Sequence, residues 1–164
     1  MIRKSVVFLC FIALILSACE RDDICAVSTP TTPQLVIQFY NVDNRTEAKI
    51  INLQAVEVNN TDVLTFTNDT LIKLPLRTNV EQTQYYITKN PGVTEGDEPE
   101  NTDIITFDYL TNEVYISRAC GFRVTYDDLA ATTTNGEDGR WIEDIEINSE
   151  IVVDENTTHV NIYH

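Results

Sequence analysis

Histidine and basic residues are scarce in this chain of 164 residues. Two histidines, His159 and His164, occur, and 11 lysines and arginines face 26 acids, for a formal net charge of −15. Such a surface repels the phosphates of DNA and RNA, which argues against nucleic acid as a partner. A serine or cysteine triad would also have little choice of base, since both histidines stand near one end of the sequence.

Motifs of cofactor, nucleotide and hydrolase chemistry are missing as well. The sequence has no glycine-rich phosphate loop, no nucleophile elbow and no paired-histidine metalloprotease motif. Three acidic clusters occur, at Glu95/Asp97/Glu98/Glu100, Asp127/Asp128 and Glu137/Asp138. None has the alternating acid order of a calcium loop, so we interpret all three as solvated loops. We therefore predict no catalytic residue, no cofactor and no metal ligand.

An apolar run at residues 6–16 follows the basic residues Arg3 and Lys4. As a helix it would span about 16 Å, whereas a bilayer core is about 30 Å thick. The run is too short for a spanning helix and typical of the apolar region of a secretory signal peptide. We predict a signal peptide over residues 1–18.

The motif Leu16-Ser17-Ala18-Cys19 closes that segment and resembles the bacterial lipobox. The resemblance implies cleavage before Cys19 and a thioether-linked lipid on its sulfur, with two or three acyl chains of palmitate type. The alternative is an ordinary signal peptide whose cysteine happens to lie at the junction. Loss of Arg3 and Lys4 with the signal moves the formal charge from −15 to −17.

Of the four cysteines, Cys10 leaves with the signal and Cys19 takes the lipid. The remaining pair, Cys25 and Cys120, predicts one disulfide, as is usual for two thiols of an exported protein. Two independent buried thiols are the competing interpretation. A zinc site would need more ligands, and neither histidine stands at a zinc spacing from the cysteines.

Residues 35–164 predict a single all-β domain after an acidic, Pro- and Thr-rich tether at residues 19–34. Short runs rich in Val, Ile, Thr, Phe and Tyr alternate with polar turn clusters, and no run after the signal has helical periodicity. About nine strands favour an antiparallel β-sandwich, immunoglobulin-like or related, with a small closed barrel as the alternative.

Local features refine this prediction. A change of apolar phase after Leu53 indicates a bulge, and Pro75 marks an edge strand or strand end. We expect a turn at residues 110–113 and a loop at residues 130–139. His159 alternates with apolar neighbours and is expected to be exposed.

Three aromatic residues, Tyr85, Tyr86 and Trp141, are candidate ligand-facing residues. Grouped on one face they would stack on sugar rings. As strand residues, however, they are more often packed in the core or at a sheet edge, and this is the interpretation that we favour.

Three motifs carry a resemblance to a known family. They are Cys19-Glu20-Arg21-Asp22-Asp23-Ile24-Cys25 with Thr29-Pro30-Thr31-Thr32-Pro33, Ile72-Lys73-Leu74-Pro75-Leu76-Arg77-Thr78, and Ser117-Arg118-Ala119-Cys120-Gly121-Phe122. With them the chain resembles a family of small, acidic Bacteroidetes-type lipoproteins catalogued as a domain of unknown function. The resemblance covers essentially the whole mature chain. It implies one domain with a Cys25–Cys120 link and no particular activity.

These observations predict a lipid-anchored protein of the outer membrane, on its periplasmic or cell-surface face. The acids at residues 20–23 resemble a surface-export signal, and a solvated tether is the other interpretation. We expect a non-catalytic binding or assembly module whose partner is an envelope protein or a glycan. The alternative is a small carbohydrate-active hydrolase that uses a pair of carboxylates.

Overall fold

A computed structural model of the chain describes residues 24–96 and 98–164. The predicted signal peptide, Cys19 and the acids at residues 20–23 lie outside the described residues. Every regular element within the described ranges is a strand. The strands are β1 (Leu35–Tyr40), β2 (Ile51–Glu57), β3 (Val63–Asp69), β4 (Leu71–Leu74), β5 (Gln82–Lys89), β6 (Asn101–Ser117), β7 (Gly121–Thr134), β8 (Asp144–Ile147) and β9 (Val160–Tyr163).

The strands form two sheets, with orders β4-β1-β9-β8 and β3-β2-β5-β6-β7. The predicted all-β sandwich is therefore confirmed. Most neighbouring strands pair antiparallel, whereas β1 and β9 pair parallel, with Ile37 opposite Val160 and Phe39 opposite Ile162. Within residues 24–96 and 98–164, no helix has the length and hydropathy to cross a membrane.

The core lies between the sheets because alternate side chains of each strand point inward. Its largest fully buried side chains are Tyr85, Tyr126, Phe39, Phe107, Leu35, Ile37, Leu53, Ile72, Leu74, Ile87, Ile105 and Ile142. Burial of this apolar area supplies the main favourable free energy of folding.

Strand β4 ends at Leu74, directly before Pro75, and occupies the edge of the four-stranded sheet. This confirms the prediction that Pro75 marks an edge strand or a strand end, because proline has no N–H to donate to a further strand. The expected bulge exists, but its position differs from the prediction. The register of β2 against β3 shifts between Ile51 and Leu53, and the extra residue is on β3, where Asn68 has a φ of 57°.

The predicted turn at residues 110–113 is wrong, since β6 runs unbroken through it to Ser117. Asn112 donates its side-chain amide to Asp127 of the neighbouring strand β7 at 2.6 Å, so this polar stretch is held by a strand neighbour. The turn follows instead at residues 118–120, before Gly121 with a φ of 70°. The expected loop at residues 130–139 is shorter than predicted, because β7 continues to Thr134.

The described chain divides into two compact units. The smaller unit comprises residues 24–29 and 115–122, and the larger comprises residues 30–114 and 123–164. In the smaller unit the sulfurs of Cys25 and Cys120 lie 2.08 Å apart, a disulfide distance, at a sequence separation of 95. The larger unit holds the buried core and the pocket described next.

Candidate functional site

A pocket of about 300 Å³ in the larger unit gathers charged side chains. Lys49 comes just before β2, Lys89 ends β5 and Asn101 begins β6, while His164 follows β9 of the other sheet. The pocket therefore lies where ends of strands from both sheets meet. Its principal side chains are Lys49, Lys89, Glu98, Asn101, Arg140, Trp141, Glu143 and His164. We call this the His164 pocket.

His164 is fixed by backbone hydrogen bonds and by two aromatic contacts. Its N–H donates to the carbonyl of Tyr40 at 3.1 Å, and its own carbonyl accepts from Val42 at 3.3 Å. The imidazole meets the rings of Phe39 and Trp141 edge-on, at centroid distances of 5.9 and 5.6 Å. The residue is 6% exposed, so its ring is held in one place.

Neither ring nitrogen of His164 has a hydrogen-bond partner among the described residues. The side chain of Asn101 is also only partly satisfied. Its amide nitrogen donates to the Asp138 carbonyl at 3.1 Å, whereas its buried carbonyl oxygen has no hydrogen-bond partner among the described residues. Buried polar groups are nearly always paired. The pocket thus holds unused hydrogen-bonding capacity at two places.

Two ammonium groups lie near the His164 ring. Burial is the largest cause that lowers the pKa of His164 to about 4, and the positive charges of Lys49 and Lys89 lower it as well. The ring is therefore neutral at pH 7, with one nitrogen as donor and the other as acceptor. Three of the 11 basic residues of the chain line this pocket, against the acids Glu98 and Glu143.

Each of the two lysines has more N–H donors than its described contacts use. Lys49 Nζ donates to the His164 carbonyl oxygen at 2.9 Å. Lys89 Nζ lies 3.6 Å from Glu98 Oε1, and the side chain of Lys89 is mostly buried. Lys89 holds the pKa of the Glu98 carboxyl below its ordinary value. An ammonium group has three donors, so each lysine can bind a further acceptor.

Arg140 has a structural role at the same pocket. Its guanidinium donates to the carbonyls of Ile142 and Glu143, close in sequence. Both acceptors are backbone oxygens, so the charge of the guanidinium is not neutralised by them. The pocket can therefore accept a small group with negative charge.

The three candidate aromatics do not share a surface. Tyr85 is buried and donates its hydroxyl to the Pro75 carbonyl at 2.6 Å. Trp141 is 5% exposed, donates to the Ile87 carbonyl at 3.2 Å and packs on His164. Tyr86 alone is exposed, beside a separate shallow cavity of about 610 Å³. Tyr85 and Trp141 thus pack in the core, as the favoured interpretation has it, and the three rings form no common sugar-stacking face. Tyr85 and Tyr86 are separated because neighbouring residues of a strand point to opposite faces.

The exposure expected for His159 is also wrong. His159 is 1% exposed, and its Nδ1 accepts the backbone N–H of Val36 at 3.0 Å. The backbone N–H of His159 donates to the Val36 carbonyl at 3.0 Å. The imidazole thus continues the pairing of β1 and β9 by one hydrogen bond. Burial lowers the pKa of His159.

The described acidic residues at 95–100 and at 137–138 lie in loops, as predicted, whereas Asp127 and Asp128 lie on strand β7, so the loop interpretation is wrong for that pair. Glu100 accepts from the Gly92 N–H, and Asp138 accepts from the Thr102 N–H at 2.9 Å. Among the residues that the structure describes, no three His, Cys, Asp or Glu side chains are grouped to hold a metal ion. Asp97 lies outside that set.

The smaller unit carries the paired cysteines in a loop and a strand turn. Around the Cys25–Cys120 pair, the Thr29 N–H donates to the Ala26 carbonyl at 2.9 Å, and the Cys120 N–H donates to Ser117 Oγ at 3.1 Å. The rings of Tyr115 and Phe122 meet edge to face at 5.3 Å on the same hairpin. Both halves of this unit are thereby ordered locally.

Lys49, Lys89 and Asn101 were not predicted from the sequence, where His164 was considered as a catalytic base and as a zinc ligand and was favoured as neither. These residues are isolated in sequence and come together only when the strands are assembled. The one available signal was the rarity of lysine, of which three occur after the predicted signal peptide, at positions 49, 73 and 89.

A model of a family of unknown function, DUF6452, matches residues 50–164. No curated protein and no solved structure matches the chain significantly.

Proposed function

The chain belongs to DUF6452, a family of unknown function, and on that premise we propose that it is an exported, lipid-anchored binding module without catalytic activity. It is anchored through Cys19 to the outer membrane, and its sandwich binds an acidic group of an envelope protein or glycan in the His164 pocket. The signal-peptide pattern and the lipobox support the anchor. The disulfide-distance pair Cys25–Cys120 supports an oxidising compartment outside the cytoplasm.

The observation that carries the binding role is the concentration of cations in the His164 pocket of a strongly acidic chain. Lys49 and Lys89 supply point charges with free donors, and the neutral imidazole of His164 lies beside them. Charge-assisted hydrogen bonds to a carboxylate are about twice as strong as neutral ones. A carboxylate-bearing ligand, such as an acidic sugar or an acidic side chain, is the chemistry that this pocket complements.

A carboxylate-pair hydrolase finds less support. Such an enzyme needs two acids facing each other across a cleft. Among the described residues, Asp103 is the only buried acid, and its oxygens accept the backbone N–H groups of Gly136, Trp141 and Ile142. Those contacts give Asp103 a structural role.

The anchor is tested by metabolic labelling with an alkynyl fatty acid. We expect label on the wild-type protein and none on Cys19→Ala, since the thiol is the group that is alkylated. Equal labelling of both proteins would refute the anchor. Protease added to intact cells then distinguishes the two membrane faces, because only a surface-exposed domain is degraded before lysis.

The pocket is tested by titration with galacturonate and with galactose as its uncharged counterpart. We expect galacturonate alone to shift the NMR signals of the His164 ring. Lys89→Met should weaken binding roughly tenfold or more, because it removes a charged donor. Lys73→Met is the matched control, since Lys73 pairs with Glu155 outside the pocket. Equal responses to both sugars, or an unchanged affinity in Lys89→Met, would refute the binding role.

A further inference from the structure

The smaller unit exposes apolar side chains to an unusual degree. Ile24 is 84% exposed, Phe122 is 64% exposed and Tyr115 is 56% exposed, and Val27 is fully exposed. They are contributed by both segments of the unit, residues 24–29 and 115–122. Single exposed apolar residues are ordinary, but several on so small a unit indicate a contact surface. We call these four residues the apolar tip.

The charge of this unit sets it apart from the rest of the chain. Its fourteen described residues include no acid, and Arg118 is their only charged side chain. The chain as a whole has 26 acids in 164 residues. These fourteen residues therefore add nothing to the repulsion from anionic lipid head groups that the acidic surface creates, although Glu20, Asp22 and Asp23 precede them in the sequence.

The Cys25–Cys120 pair limits how far this unit can lie from a lipid on Cys19. The two Cα atoms are 4.9 Å apart, so the hairpin turn at Cys120 cannot leave Cys25 while the bond is intact. Cys25 is six residues from Cys19, and six extended residues span at most about 22 Å. If Cys19 holds the lipid, as proposed above, Cys25 stays within about that distance of Cys19, and the hairpin turn at Cys120 stays next to Cys25.

We propose that the apolar tip docks on the head-group region of the membrane that holds the lipid of Cys19. Aromatic residues such as Tyr115 and Phe122 favour this region, where a ring contacts acyl chains and its edge or hydroxyl contacts water. Ile24 and Val27 add apolar area next to the anchor, and Arg118 faces the lipid phosphates with opposite charge. The protein is then attached at two points, by its acyl chains and by the hairpin.

The docking experiment uses the full lipoprotein, extracted from producing cells and reconstituted in phosphatidylethanolamine–phosphatidylglycerol vesicles. Phe122→Trp places a fluorophore in the tip, and Val63→Trp places one at an apolar position of the larger unit that is 52% exposed, against 64% for Phe122. Lipids brominated near the head group quench a tryptophan in contact with them. The emission of wild-type Trp141, which is buried, is subtracted.

We expect quenching of at least about twofold for Phe122→Trp and little for Val63→Trp. Quenching of neither variant, or of both equally, would overturn the docking. If the tip instead binds a second copy of the chain, Phe122→Trp will stay unquenched and Phe122→Ser will dissociate a dimer in sedimentation, which also overturns it.

Mass spectrometry of the same samples separates this inference from the proposed anchor. A lipid on Cys19 without quenching of Phe122→Trp refutes the docking and leaves the anchor standing. Absence of a lipid refutes the anchor. In that case, quenching by the added vesicles still supports an intrinsic affinity of the tip for lipid, and absence of quenching overturns the docking as well.

Discussion

Asp103 is an acid whose oxygens are occupied by backbone donors. Its Oδ2 accepts the N–H groups of Trp141 and Ile142 at 3.0 and 2.9 Å, and its Oδ1 accepts that of Gly136 at 3.3 Å. The carboxylate thereby holds the connection between β7 and β8 against β6. It also orients Trp141, which packs on His164.

Asp103→Asn should therefore destabilise the protein. The substitution replaces one acceptor oxygen by an NH₂ group, which would face a backbone N–H and cannot accept its hydrogen bond. The expected loss is about 1–3 kcal/mol of unfolding free energy, measured by urea denaturation. Asp108→Asn is the control on the same strand, since Asp108 is half-buried and accepts a solvent-exposed hydrogen bond from the Gln82 side chain. Equal losses for both variants would contradict the special role of Asp103.

The two buried histidines predict a loss of stability in mild acid. Their pKa values are lowered by burial, that of His164 to about 4, so folding favours the neutral rings. This contribution is complete above the unfolded pKa of about 6.5 and is lost as the pH falls toward the folded value. Between about pH 6.5 and 5, few other side chains titrate.

Unfolding free energy should accordingly decrease across that interval, and NMR of the His164 ring should show a midpoint near 4. Replacing both histidines, His159→Gln with His164→Leu, should flatten the dependence on pH. A wild-type protein equally stable at pH 5 and pH 7 would contradict the burial of neutral imidazoles.

At the scale of elements, the connection from β4 to β5 is held by three tyrosine hydroxyls. Tyr85 donates to the Pro75 carbonyl, Tyr126 to that of Leu76 and Tyr109 to that of Arg77, at 2.6, 3.0 and 2.9 Å. The chain passes between the sheets at this point, so its carbonyls have no strand partner. Side-chain donors from the core satisfy them instead.

Removing one of these donors should cost stability. Tyr126→Phe leaves the Leu76 carbonyl unpaired in the core, at about 1–3 kcal/mol. Tyr86→Phe, on an exposed ring, should stay within about 0.5 kcal/mol. Urea denaturation of the two variants gives the comparison, and equal stability would show that the connection does not depend on this bond.

The same cluster predicts the response to alkali. Burial is the main cause that raises the pKa of Tyr126 to about 12, and it also raises the pKa values of Tyr85 and Tyr109. The stabilisation of the neutral phenols is present below about pH 10 and is lost as the pH rises through the folded values. Absorbance at 295 nm should show these tyrosines ionising together with unfolding, and their ionisation in the folded protein would contradict their burial.

Much of the element pattern was readable in the sequence, and its errors have local causes. Pro75 indicated an edge strand because it removes a donor, and β4 is one. The polar stretch at residues 110–113 looked like a turn, yet its neighbour β7 stabilises it as strand through Asn112 and Asp127. His159 looked exposed by alternation, yet its ring replaces a backbone acceptor opposite Val36.

At the scale of the whole molecule, the predicted bond between Cys25 and Cys120, whose sulfurs lie at disulfide distance, would close a loop that contains most of the domain. In the chain-entropy model, closing about 95 residues costs the unfolded chain roughly 4–5 kcal/mol, and strain or residual structure reduces the gain. The exported protein should therefore melt at a lower temperature after reduction. Cys25→Ser with Cys120→Ser should melt like the reduced wild type and not respond to reductant.

Mass spectrometry without reduction should find the two cysteine peptides joined. Full reaction of both cysteines with iodoacetamide in denaturant, without reductant, would contradict the bond.

The sequence by itself determined the all-β class, the shortage of catalytic groups and the disulfide pairing that we predict, because composition, strand periodicity and cysteine number are local properties. The tertiary structure decided which side chains meet. Lys49, Lys89 and His164 lie at the ends of three separated strands, and only the order of the strands in the two sheets brings them to one pocket. Alternation specifies which side of a strand is apolar, whereas strand order depends on packing between residues far apart in sequence, which no local pattern encodes.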